Sequence, residues 1–258
     1  HHDAINLGDT ILLPQEFVRG LTMASMQGRA QTVHDQFSES ECHGNLVFYL
    51  DGAHTPESMD VCARWFSAAV KGACQNGDYN NSLKGDLVSE GRLVQSHRDN
   101  SPRQNLMRIL LFNCMSVRDP RELFPRLVNT CASDGVHFNR ALFAPNMSVY
   151  YKVGSATPTT NDPEVDLSWQ FSTQKIWENL VQGSKEGEIK NIDAPCQVIK
   201  DSDGMSTWTC ENSIVFPSLP LAIKWLRDKA QQNRDLRLQV LVTGSLHLVG
   251  DVLRLIKK

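Results

Sequence analysis

The sequence predicts an α/β domain of three layers, a mostly parallel (mixed) sheet held between helices. Three observations carry that reading. The runs 46–50 and 106–112 are continuous or nearly so in apolar residues, as strands buried on both faces are, and 236–242 also reads as a strand. Each ends in a short polar turn, followed by apolar residues at helical spacing. Strand and helix patterns then alternate through 258 residues, enough chain to bury a sizeable core.

Taken in order, 14–25 reads as a short helix with Phe17, Leu21 and Ala24 on one face. Residues 27–29 form a turn, 30–37 a strand, and 38–45 a polar connection. The strand at 46–50 stops at Asp51 and Gly52. Thr55 then offers an N-cap, Pro56 suits the first helical position, and Glu57 suits the positive end of the helix dipole. Met59, Cys62, Ala63, Phe66 and Val70 mark the buried face of a helix over 56–71. The segment 72–105 is rich in Gly, Asn, Ser, Asp and Arg without periodicity, and reads as a mobile insertion.

The strand 106–112 leads to a turn at 113–120, where Asp119 can cap, Pro120 suits N1 and Glu122 completes a capping-box pattern. Leu123, Phe124, Leu127, Val128 and Cys131 mark the face of that helix. A third strand, 137–144, ends at Pro145-Asn146, and a polar loop runs to about 166. Residues 167–182 are helical, with Trp169, Thr173, Ile176, Trp177 and Leu180 on a common side; a stripe at this spacing belongs to packing. The segment 183–212 reads as a second insertion, with a small hairpin from 197–199 and 208–210. Ser218 can cap a helix over 219–233. The strand 236–242, the turn 243–245 and a helix over 246–257 complete the chain.

Composition narrows the class. Hydrophobic content of 41% and charged content of 21% suit a soluble globular protein. A net charge of −3 argues against broad binding to nucleic acid or anionic lipid. The apolar stretch 240–256 is broken by His247, Asp251 and Arg254, so it is not read as a membrane span. Seven scattered cysteines without a C-x-x-C spacing suggest reduced thiols of an intracellular protein, not a zinc site. No secretory signal is visible at the start. His1 and His2 read as a tag remnant, with 1–13 a tag and linker and 14–258 the domain. Asn80-Asn81-Ser82 and Asn146-Met147-Ser148 match the glycosylation acceptor pattern by chance. There is no internal repeat, no G-x-x-x-x-G-K-[ST] loop and no G-x-G-x-x-G.

Four turns carry residues suited to chemistry: Gly28-Arg29, Asp51-Gly52-Ala53-His54, Arg118-Asp119 and Thr243-Gly244-Ser245. In a mostly parallel sheet the last three converge on one edge, where open α/β sheets bind ligands. Each has a plainer reading. An Asp-Gly pair after a strand is often only a turn, and a loop histidine is usually solvated. Arg118 could pair with Asp119 or Glu122. Ser245 could bind an anion with the helix N–H groups or simply cap the helix, and the two readings are equal here. His247 reads as packed or surface, and Cys114 as a buried thiol.

The wording of these turns adds a family resemblance. Y-L-D-G-A-H-T-P-E-S at 49–58 resembles the signature of folylpolyglutamate synthases, which are Mur-type ATP-dependent amide ligases. M-Q-G-R-A-Q at 26–31 resembles the W-P-G-R-x-[EQ] turn that opens their C-terminal domain, with Met26 and Gln27 in place of Trp-Pro. L-L-F-N-C-M-S-V-R-D-P at 110–120 resembles their L-L-F-N-x-x-x-x-R-D-P segment, and V-L-V-T-G-S-L-H-L-V-G at 240–250 their C-terminal strand, turn and helix. The matches keep the family's order and span nearly the whole chain.

The resemblance implies a Rossmann-like Mur ligase C-terminal domain. Family members use ATP and Mg2+ to make an acyl phosphate on a folate γ-carboxylate, which the amine of L-glutamate attacks. The phosphate loop and magnesium ligands belong to an N-terminal domain absent from this sequence. The implied chain is therefore a partner of the P-loop domain of the same enzyme, inactive alone and holding no metal ligands of its own. By position, Arg29 and Asp51 would contact ATP. His54 and Arg118 would position glutamate, His54 orienting the amine or accepting its proton, and Ser245 would help bind substrate. Alternatives are a dihydrofolate synthase or other Mur-type ligase, and a non-catalytic module that binds a nucleotide or partner. A monomer is expected, in cytoplasm, mitochondrion or plastid, with no nucleic-acid or membrane partner.

Overall fold

The computed structural model describes residues 14–23, 26–35, 46–79, 105–147, 165–183, 197–200, 206–233 and 235–257. The elements follow in chain order: α1 (Gln15–Met23), β1 (Gln31–His34), β2 (Leu46–Leu50), α2 (Pro56–Tyr79), β3 (Asn105–Phe112), α3 (Pro120–Ser133), β4 (Arg140–Phe143) and α4 (Ser168–Val181). Then come β5 (Gln197–Lys200), β6 (Ser206–Thr209), β7 (Ser213–Val215), α5 (Leu219–Gln232), β8 (Leu236–Thr243) and α6 (Leu246–Ile256).

The eight strands form one sheet in the order β1-β2-β8-β3-β4-β7-β6-β5. The five central strands, β2, β8, β3, β4 and β7, run parallel. Antiparallel strands flank them, β1 on one side and β6 with β5 on the other. All five residues of β2 are buried, as its unbroken apolar run requires. Alternate strand residues feed two cores. Val47, Tyr49, Leu110, Phe112 and Leu241 pack beneath the face of α2, α3 and α4. Phe48, Leu50, Ile109, Leu111 and Val240 pack beneath α5 and α6. The expected three-layer, mostly parallel α/β architecture is therefore what forms. Trp177 is fully buried and Trp169, partly buried, packs against the same core, so the tryptophan stripe of α4 belongs to packing.

Several boundaries differ from the sequence reading. α2 continues to Tyr79, where a helix ending near residue 71 was expected. Gly72 weakens an exposed helix by only about 1 kcal/mol, too little to end one already propagating. β7 was not anticipated, because three residues are too short to display a period; all three are buried. The hairpin of β5 and β6 forms as expected, with Gln197 opposite Thr209. Ser218 occupies the N-cap position of α5 but makes no side-chain cap bond. Pro220 sits where the second helical N–H would have been its donor. Cys62, Cys114 and Cys131 are free and buried, whereas Cys210 is disulfide-bonded, so the expectation of reduced thiols throughout is not met. Among the described residues no helix is long and apolar enough to cross a membrane. The tag and linker reading of 1–13, the insertion core 80–104, and 148–164 and 184–196 lie outside the described residues.

Candidate functional site

Parallel strands end together. Leu50 of β2, Thr243 of β8 and Phe112 of β3 therefore deliver the Asp51–His54, Thr243–Ser245 and Arg118–Asp119 corners to one rim of the sheet. The fourth corner joins them for a different reason. β1 is antiparallel, and its first residue, Gln31, pairs with Leu50, so the turn before it also reaches the rim.

Asp51 builds the first contact. Its N–H donates to Val242 O at 3.1 Å, which continues the pairing of β2 with β8 beyond the strand. One carboxylate oxygen accepts from the Ala30 N–H at 2.9 Å, and the other faces Arg29 Nη1 at 3.4 Å. The side chains of Arg29 and Asp51 are 33% and 14% exposed. Gly52 N–H donates to Gly28 O at 3.0 Å, pinning the same turn from the backbone. The turn is strained: Ala30 sits at φ +45°, a left-handed conformation that costs an alanine about 1–2 kcal/mol. A residue held in such a state is over-determined by its neighbours, and such states gather at functional sites. Asp51 thus orients Arg29 and keeps acceptor capacity, since a carboxylate has about four lone-pair directions.

His54 is held at both ends. Its Nδ1 lies 2.9 Å from Gly52 O. A carbonyl can only accept, so Nδ1 carries the proton in this contact, and a neutral ring presents a lone pair at Nε2. The His54 backbone N–H donates to Ser58 Oγ at 3.0 Å, and the Thr55 N–H to the same oxygen at 2.9 Å. In return the Ser58 N–H donates to Thr55 Oγ1 at 3.3 Å, the expected cap of α2. Ser58 was part of the quoted motif but not a candidate residue; its hydroxyl sets the backbone path through His54.

The corners pack backbone against backbone. Gly244 N–H donates to Ala53 O at 2.9 Å. Gly244 has φ +104°, and a Cβ there would stand 2.6 Å from Asn113 O. A side chain would push apart the ends of β3 and β8. Ser245 is buried, and its hydroxyl accepts from the Leu248 N–H at 3.2 Å. Of its two readings, this geometry favours the cap. His247 is exposed.

The Arg118 corner is a tight turn, with Arg118 N–H donating to Met115 O at 2.9 Å. The expected alternative pairing with Asp119 or Glu122 is absent. Asp119 instead accepts from the Arg121 N–H at 2.9 Å and faces its guanidinium at 3.9 Å. Arg118 is exposed and makes no ion pair among the described residues. The floor of this corner was missed by sequence reasoning. Asn113, nearly buried, donates to Asn146 Oδ1 at 3.0 Å and accepts from Gln170 Nε2 at 3.4 Å. Trp169 Nε1 donates to Cys114 O at 2.8 Å. The available signal was a lone amide directly after an apolar strand. Burial pushes the Cys114 thiol up to about 12, with Asp119 adding to the effect, so it stays a protonated core residue.

A folylpolyglutamate synthase of Arabidopsis thaliana is 55% identical over 249 residues, covering 96% of this chain. The chain is a relative of the folylpolyglutamate synthases. A second Arabidopsis folylpolyglutamate synthase is 44% identical over 95% of the chain, and a mitochondrial one of Homo sapiens 27% identical over 92%. The chain spans only about 40% of the length of these relatives, 40%, 41% and 39% respectively. No family model matches the sequence. A solved Mycobacterium tuberculosis folylpolyglutamate synthase, complexed with ADP and AMPPCP, superposes with a TM-score of 0.44 at 14% identity. That superposition covers 95% of this chain and 36% of that one, and so loose a likeness locates no ligand here.

Proposed function

We propose that the chain is the C-terminal, glutamate-binding part of an ATP-dependent ligase that adds L-glutamate to the γ-carboxylate of folates. The observation that carries this reading is the rim itself. Arg29, Asp51, His54 and Arg118, far apart in sequence, stand on corners of one sheet edge in a relative of folylpolyglutamate synthases. Residues 14–258 would form one domain, with insertions at about 72–105 and 183–212, closing over a separate P-loop domain of the same enzyme.

ATP would supply the phosphoryl group that activates the folate carboxylate, with Mg2+ held by residues of that other domain. Arg29 fits phosphate oxygens, since its guanidinium is a third exposed and pre-oriented by Asp51. Asp51 can still accept from a sugar hydroxyl. Arg118 offers a planar fork to a glutamate carboxylate. His54 presents Nε2 as acceptor for the proton that the attacking amine must lose, or orients that amine. Ser245 contributes through the cap it places on α6, which steadies the Gly244 turn beside His54.

The test is kinetic and uses the full-length enzyme. Arg118→Ala and His54→Ala should each lower kcat/KM for glutamate by roughly tenfold to a thousandfold. Arg29→Ala should act chiefly on the KM for ATP. Turnover unchanged by Arg118→Ala and His54→Ala together would leave a non-catalytic module as the better account.

A further inference from the structure

At the end of the sheet away from the rim, β3 and β8 bring two arginines together. Their register sets Leu106 beside Arg237 and Arg108 beside Gln239. Residues two apart on a strand share a face, so Arg108, Gln239 and Arg237 lie on the side that carries Leu110 and Leu241, under α2 and α3. Arg108 and Arg237 are then diagonal neighbours, close enough for long side chains to meet. Both are half-buried.

Two buried donors here are not met, one on Arg237 and one on Gln239. Arg108 Nε donates to Gln239 Oε1 at 3.1 Å. Gln239 is wholly buried, yet its Nε2 has no acceptor, and the buried Nε of Arg237 has none either. Among the described residues no carboxylate stands within ion-pair distance of either guanidinium. Asp134, the carboxylate at the end of α3, is engaged by Lys71 of α2 at 3.1 Å and pairs with neither arginine. A guanidinium cannot relieve the strain by losing its proton. Unmet buried donors and neighbouring like charges both cost stability unless an acceptor of opposite charge arrives.

We propose that Arg108, Arg237 and Gln239 form a second anion site, distinct from the rim, that takes the oxyanion of a small phosphate or carboxylate ligand. Arginine forks match the geometry of such groups, and the Gln239 amide supplies a neutral donor between them. The site stands whether or not the rim works as proposed, because it shares no residue with it.

The test follows the Nε–Hε signals of the arginines by NMR, in the whole chain, at matched chloride. Inorganic phosphate and glutarate are titrated separately. Saturable shifts of Arg108 and Arg237 are expected with at least one, and which one responds identifies the ligand as phosphate or carboxylate. In Arg237→Met the Arg108 response should weaken by about tenfold or more; if that variant does not fold, Arg237→Lys, which keeps the charge but loses the fork, should weaken it less. Shifts confined to Arg29 and Arg118, or an Arg108 response untouched by either Arg237 variant, would overturn the proposal.

Discussion

Asp51 holds the 28–30 turn through both carboxylate oxygens, and that contact decides where the Arg29 guanidinium points. Buried thiols stand beside this rim. The Cys62 thiol meets Thr243 Oγ1 at 3.8 Å, and Cys114 follows Asn113 directly. Burial raises the three free thiols among the described residues, Cys114 to about 12, Cys131 to about 11 and Cys62 further still. The sign of the linkage follows. Above the ordinary thiol value near 9 the unfolded chain gives up protons that the folded chain keeps. Stability from these groups is fully present below pH 9 and falls as pH rises toward the folded values, by up to about 1.4 kcal/mol per pH unit for each thiol. Urea unfolding at pH 8 and at pH 10.5 should reveal a loss that shrinks when Cys62, Cys114 and Cys131 are changed to Ala. An equal loss in that variant would assign the effect to other groups.

Elements are tied down by polar contacts as well as by the two cores. The edge strand β1 is only four residues long, and its far end is anchored by Asp35. That carboxylate, with its side chain 2% exposed, receives both Nε and Nη2 of Arg227 from α5 at 2.9 Å. Arg227 also donates to Leu255 O of α6 at 3.2 Å. One guanidinium thus joins β1, α5 and α6. Arg227→Met leaves a buried charge without its partner and should cost about 3–5 kcal/mol, read by urea unfolding. Adding Asp35→Leu should recover most of that loss, because a buried ion pair can often be exchanged for apolar packing. If the double variant is no better than the single one, the anchor acts through its hydrogen bonds to Leu255 and the strand end. The loss of β1 pairing would also free the Gly28–Arg29 corner at its other end, which links this anchor to the rim.

At the scale of the whole molecule, one sheet edge carries the corners proposed for nucleotide and for glutamate, and the proposed ligase reaction also needs its carboxylate activated. No phosphate loop occurs anywhere in the 258 residues. The purified chain, given ATP, Mg2+, glutamate and tetrahydrofolate, should therefore form no glutamylated product by mass spectrometry. Product formed by this chain alone would place the activating machinery within these residues and displace the proposed division of labour.

Much of this arrangement was legible in the sequence. The unbroken apolar run of β2, and the apolar C-terminal halves of β3 and β8, mark central strands because both of their faces are buried there. Thr55, Asp119 and Ser245 mark helix starts because their hydroxyl or carboxylate oxygens accept from freed N–H groups within the next turn. Such signals are local, carried by residues a few positions apart. What tertiary structure alone decided is nonlocal. β8, nearly last in the chain, inserts between β2 and β3, and only that order brings Gly244 against Ala53 and Asn113. The antiparallel pairing of β1 carries Arg29 to the rim, and the register of β3 with β8 sets Arg108 beside Gln239. Periodicity reports which face of a strand is buried. It is silent on which strand lies next to it, since any partner with the same apolar face would satisfy the pattern, and the choice falls to how the whole core packs.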